Sequence, residues 1–147
     1  MAMTDERSIG PHEISYEADT GFIVFSMHGA LEARHAQELR KITLEYETGY
    51  FPGKPGFTLV DCRKATGVTG EARKVLAEQG KEEPYESYLA LYGGSFAFRA
   101  VINLVLKAVR LAGSAKLVAA AIGSEEEART WLREQKRAWL ARATASG

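Results

Sequence analysis

The sequence predicts an α/β domain built on a mainly parallel sheet, and three observations predict it. After a first pair of short strands, strand-like runs and amphipathic helical stretches alternate strictly along the chain. The later strand-like runs, at 57–62, 88–92 and 116–122, are largely apolar and short, as strands covered on both faces are. Each is followed by a turn or capping residue and then by apolar residues at helical spacing. The order is β-β-α-β-α-β-α-β-α, opened by an N-terminal hairpin.

Residues 1–10 read as a loose tail. Residues 13–17 alternate polar and apolar around Ile14 and Tyr16, the turn signal Asp19-Thr20-Gly21 follows, and 22–28 return as the second hairpin strand, ended by Gly29. A helix over 32–47 sets Leu39, Ile42 and Tyr46 on one face, with Leu31 and His35 above them and Gly49 as its stop. The segment GYFPGKPG is too rich in glycine and proline for regular structure, and presents Tyr50 and Phe51 beside Pro52 and Pro55. Aromatics on a connection mark either a contact or a fold-back onto the sheet.

The strand over 57–62 leads to Thr69, the N-cap of a helix bearing Ala72, Val75, Leu76 and Gln79 on one face. KEEPYES is a polar connection to the strand 88–92, which Gly93-Gly94 closes. The helix opened by Ser95 runs to about 112, with Gly113 as its stop. Its polar positions, Arg99, Asn103, Lys107 and Arg110, form one narrow stripe, so it has more apolar surface than a single sheet contact uses. Plain core, a dimer contact and the wall of a lipid-type pocket are all open to it. After the last strand, Ser124 and Glu127 form a capping box, Glu125 and Glu126 favour the helix start, and Ala128, Trp131, Leu132, Gln135 and Trp139 share an inner face. Residues 1–147 make one domain, with 144–147 as a second loose tail.

Composition narrows the function classes. A chain of 147 residues with 46% hydrophobic and 26% charged residues suits one core. Nineteen basic residues balance nineteen acidic ones, which gives no reason to expect a nucleic acid and leaves association between copies unopposed. One cysteine makes neither an internal disulfide nor a multi-cysteine zinc site. The polar start MAMTDERSIG has no apolar segment of a signal peptide, and no apolar run approaches the roughly 20 residues of a membrane span. A soluble, cytoplasmic chain is expected. His12, His28 and His35 lack ligand-type spacing, so neither a metal nor another cofactor is expected.

Three stretches carry a resemblance. MHGALEARHAQEL is similar to the strand-Gly-x-Leu-Asp segment before the first helix of the STAS domain (sulfate transporter and anti-sigma-factor antagonist), with Glu32 in place of the aspartate. TLVDCRKATGVTG is similar to that family's strand ending in Asp and the loop before its second helix. SEEEARTWL resembles the start of the last helix in the SpoIIAA-like branch. The likeness runs from about residue 13 to 140 and implies a SpoIIAA-like fold, shared with the CRAL-TRIO lipid-transfer proteins. In anti-sigma-factor antagonists a serine or threonine before the second helix is phosphorylated. The matching residues here are Val68-Thr69-Gly70, which keep one hydroxyl and lack the aspartate.

The candidate site lies at the carboxyl ends of the strands, where α/β proteins place their sites. His28, Asp61, Arg63, Thr69 and Ser95 are its polar members, and Phe96, Phe98, Arg99 and Ile102 belong to the adjoining helix. Thr69 is the modification candidate and otherwise a cap. Asp61 either bonds the loop or pairs with Arg63. The leading function is a non-enzymatic regulatory or protein-interaction module, acting as a homodimer. The alternative is a carrier of a small amphipathic or anionic ligand, its headgroup at the strand ends and its tail against Phe96, Phe98, Ile102 and Val105. A thiol enzyme using Cys62 and His28 comes third.

Overall fold

The structure, a computed structural model, describes residues 3–81, 86–111 and 116–146. Its strands are β1 (Met3–Ile9), β2 (His12–Glu17), β3 (Phe22–Leu31), β4 (Gly56–Val68), β5 (Ser87–Tyr92) and β6 (Leu117–Ile122). Its helices are α1 (Ala33–Tyr50), α2 (Gly70–Lys81), α3 (Phe96–Leu111) and α4 (Glu125–Ser146). The six strands form one sheet in the order β1-β2-β3-β4-β5-β6. The pairs β1–β2 and β2–β3 are antiparallel, and β3 to β6 run parallel. The α/β class, the hairpin (β2–β3) and the parallel layer are as the sequence predicts.

The helix layers follow from the connections. Parallel neighbours joined in sequence order by right-handed crossovers put their helices on one face. So α1, α2 and α3 share a face, over a core that includes Phe25, Met27, Val60 and Cys62. The other face presents Phe22, Leu59, Tyr88 and Tyr92, and α4 covers it with Ala128 and Leu132.

Four boundaries differ from expectation. Residues 3–9 are not a tail: they pair with β2 from Met3↔Glu17 to Ile9↔His12, and Ile9 is buried, so β1 is added to the expected order. The stretch 63–68 is not a turn, because it continues β4 against the end of β3, through His28↔Lys64 and Leu31↔Val68. Helix α1 passes Gly49 and ends at Tyr50, whose ring stacks on Tyr16 at 4.3 Å while its hydroxyl donates to Asp5 at 3.2 Å. At the other end α4 extends to Ser146, through most of the expected tail. The KEEPYES connection and the Gly113 stop fall wholly or mostly outside the described residues.

A buried ion pair ties α4 to the sheet. Glu17 is wholly buried and receives Arg129 Nη1 and Nη2 at 2.8 and 2.7 Å and the Thr20 hydroxyl at 2.8 Å. Arg129 also donates to Glu125 at 2.9 Å, so α4 is fastened to the hairpin turn. These bonds hold the Glu17 carboxyl below its ordinary pKa, against the opposing effect of burial.

Candidate functional site

The strand-end edge is occupied by structural pairing. Asp61 accepts from the Arg63 backbone amide and from Arg63 Nε, both at 3.0 Å, and from Nη2 at 2.7 Å. Burial raises the Asp61 pKa, but the bonds from Arg63 outweigh it and the net shift is downward. The Arg63 guanidinium also lies 5.6 Å from the centre of the Tyr92 ring, and the Tyr92 hydroxyl donates to Glu125 at 3.2 Å. Arg63 therefore already has its anion, and Asp61 anchors the strand end rather than offering a free carboxylate.

The two hydroxyls cap helices. Thr69 Oγ1 accepts from the Ala72 amide at 3.1 Å, and Ser95 Oγ accepts from the Phe98 amide at 3.1 Å. Both residues are exposed. Between β5 and α3 the chain passes close to β4. Gly93 has φ +79°, and a Cβ there would come within 2.5 Å of Arg63 Cγ. That turn is shaped for packing against Arg63 rather than for an anion.

Cys62 and His28 do not meet. Cys62 lies in the α1–α3 core, as does Met27. Strand alternation turns His28, next to Met27, toward the opposite face. Burial pushes the Cys62 thiol up to about 12, and its weak S–H points at the Val60 carbonyl. A thiol in that setting supplies little thiolate for nucleophilic chemistry. Among the described residues no cluster of three or more His, Cys, Asp or Glu is arranged to hold a metal ion.

The main cavity lies elsewhere. It measures about 250 Å³ and sits between the sheet and helices α1, α2 and α3. Its walls are aliphatic and aromatic: Ile23, Phe25 and Met27 from β3, Val60 from β4, Leu89 and Leu91 from β5, Leu39 from α1, Leu76 from α2, and Ile102, Val105, Leu106 and Val109 from α3. Polar lining residues gather where β4, β5 and β6 begin. Lys54 precedes β4, Ser87 opens β5, Lys116 precedes β6, and Thr43 and Glu47 come from the second half of α1; Arg40, Thr58 and Gln79 line the cavity as well. Lys54 and Lys116 are exposed, so this end is the mouth. Phe51 stands beside it, its ring 6.2 Å from that of Tyr16.

The cavity thus opens at the amino ends of the parallel strands, opposite the edge the sequence points to. Of the expected site residues, Ile102 lines it, and so does the expected tail contact Val105. Phe98 is buried in the core nearer the carboxyl edge, Arg99 is exposed, and Phe96 projects into solvent at 83% exposure. The residues at the cavity mouth are not among those expected. Their one sequence signal is the aromatic and proline-rich stretch 49–56.

Comparison with solved structures places the fold. A crystal structure of an uncharacterized protein from the DUF3478 family, with a SpoIIAA-like fold, from Shewanella loihica PV-4, is similar over 90% of this chain and 98% of that one. The TM-score is 0.50 and the identity 19%. The fold is therefore SpoIIAA-like, as the resemblance implies. No family model matches the sequence, and no curated protein does.

Proposed function

We infer that the chain is a non-enzymatic carrier or sensor of a small amphipathic ligand, with the ligand's apolar part in the cavity beneath α1–α3 and its polar end at the mouth. The observation that carries this reading is the cavity itself: about 250 Å³, lined mainly by aliphatic and aromatic side chains, with charged residues beside its exposed end. An apolar void of about 150 Å³ already binds benzene, and pockets for drug-sized ligands start near 300 Å³, so the occupant is small or single-chained. The sole cysteine, buried and unpaired, suits the reducing cytoplasm in which the reading sets the chain.

The test is titration of the purified full chain with a fluorescent fatty acid, beside Leu106→Trp, whose indole fills the cavity wall. Saturable binding that the variant loses, with its circular dichroism unchanged, supports the reading. Binding equal in both proteins, or in neither, contradicts it.

A second reading has its own observation. Thr69 is exposed at the N-terminus of α2, where a phosphate is electrostatically favoured, and it occupies the position that anti-sigma-factor antagonists modify. A regulatory, partner-binding module of the STAS/SpoIIAA type, acting as a homodimer, would use that hydroxyl. Thr69→Glu should then change the oligomeric state or the capture of a partner, and an unchanged profile in light scattering and pull-down removes this reading.

A further inference from the structure

Helix α3 is apolar on two sides. Its inner side, with Phe98, Ile102, Val105 and Val109, is buried. On its outer side Phe96, Leu104 and Leu111 are 83, 62 and 79% exposed. At 100° per residue these three fall within one arc, together with Ala100. Lys107 lies in that arc, and Arg99 and Arg110 adjoin it. Scattered exposed apolar residues are ordinary on a protein surface, but three large ones aligned on one helix are not. The helix FAFRAVINLVLKAVRL carries three cations and no acid, in a chain whose basic and acidic residues are equal in number.

We propose that this outer face of α3 docks on an anionic lipid bilayer. Large apolar residues on a convex helix, bordered by arginine and lysine, are what a helix lying in the membrane interface presents. The charge selects the occupant. A second copy apposed through α3 would bring Arg99 and Lys107 of both chains together with no acid on either helix to meet them. A negative lipid surface meets Arg99 and Lys107, whose long side chains reach headgroups while Phe96, Leu104 and Leu111 enter the acyl boundary; Arg110, at the border, donates from Nη2 to the Ala119 carbonyl at 3.3 Å. Among the described residues no helix is long and apolar enough to cross the membrane, so the contact is peripheral. The purpose of the contact rests on the carrier reading: the inner side of the same helix walls the cavity, so docking sets that wall against the source of the ligand.

The test is flotation of the full chain with vesicles of phosphatidylglycerol and phosphatidylcholine, and with phosphatidylcholine alone. Binding should be more than about tenfold stronger to the anionic vesicles and weaken as salt is raised. The triple variant F96S/L104S/L111S changes only exposed positions. It should lose about tenfold or more of vesicle binding while still binding the fluorescent fatty acid. R99Q/K107Q should lose the preference for anionic vesicles. A chain that floats with neither vesicle overturns the proposal, as does a triple variant that floats like the parent. Retention on polyglutamate without flotation overturns it too, in favour of an acidic protein partner. Vesicle binding without fatty-acid binding sinks the carrier reading and leaves the docking surface standing.

Discussion

His12 and His35 touch inside the protein, with His12 Nε2 3.3 Å from His35 Nδ1 and both rings buried. The backbone fixes their proton positions. His12 Nδ1 accepts from the His28 amide at 2.9 Å, and His35 Nδ1 accepts from the Glu32 amide at 3.0 Å. Each ring therefore carries its proton on Nε2. That of His12 points to the Ala30 carbonyl at 3.1 Å and to His35, and that of His35 has no partner. The pair anchors the turn from β3 into α1 while the His12 ring stays neutral.

Stability should therefore fall with mild acidification. Burial, and then the neighbouring His35, lower the His12 pKa from its ordinary 6.5. His28 opposes protonation as well, while the Ala30 carbonyl and Glu32 favour it. Below about pH 6.5 the unfolded chain takes up a proton that the folded chain refuses, so stability is full above that pH and declines as pH drops toward the lowered value. The carboxylates held down by arginine, Glu17 and Asp61, lose their contribution only at lower pH. Urea midpoints between pH 7 and about pH 5 should fall in the parent and fall less in His12→Gln. Equal slopes in the two proteins would remove the role of the pair.

The Glu17–Arg129 tie should be costly to break from one side. Arg129→Met leaves a wholly buried carboxylate without its cation, which costs about 3–5 kcal/mol. Adding Glu17→Gln should recover much of that loss, because no bare charge then remains. Denaturant unfolding of the two singles and the double measures this. Additive losses would show that the residues act independently.

Cys62 should resist alkylation. It is 2% exposed and its thiol is pushed up to about 12. Iodoacetamide at neutral pH should modify the folded chain far more slowly than the urea-unfolded one. Labelling at equal rates would mean that α3 opens freely away from β4.

Thr69→Ala should cost about 1 kcal/mol through loss of the cap on α2, and Thr69→Asp should keep most of it. Thermal unfolding of the two variants distinguishes a cap from a residue with no local role. No loss in the alanine variant would contradict the cap.

The sequence and the structure part company at particular residues. The alternation of apolar runs with capped helices was legible because Thr69, Ser95 and Ser124 cap where their residue types favour it. Strand β1 was not legible, because MTDERSI has little apolar alternation and is held by backbone pairing to β2. The stretch RKATGV reads as a loop for the same reason: its extension comes from the β3 partner and not from its own propensity. The expected site and the cavity lie at opposite edges because strand carboxyl ends are the usual site in α/β sheets, whereas this cavity lies between sheet and helices. Such a void depends on how far α1–α3 stand off the sheet, which helical periodicity does not encode. Only the aromatic and proline-rich approach to β4 pointed toward the mouth.

Native mass spectrometry of the purified full chain tests the cavity reading most directly. The expected result is a small co-purified mass that leaves on denaturation or, from stripped protein, uptake of one added fatty acid per chain that Leu106→Trp does not show. A bare chain that takes up nothing under the same conditions would contradict it.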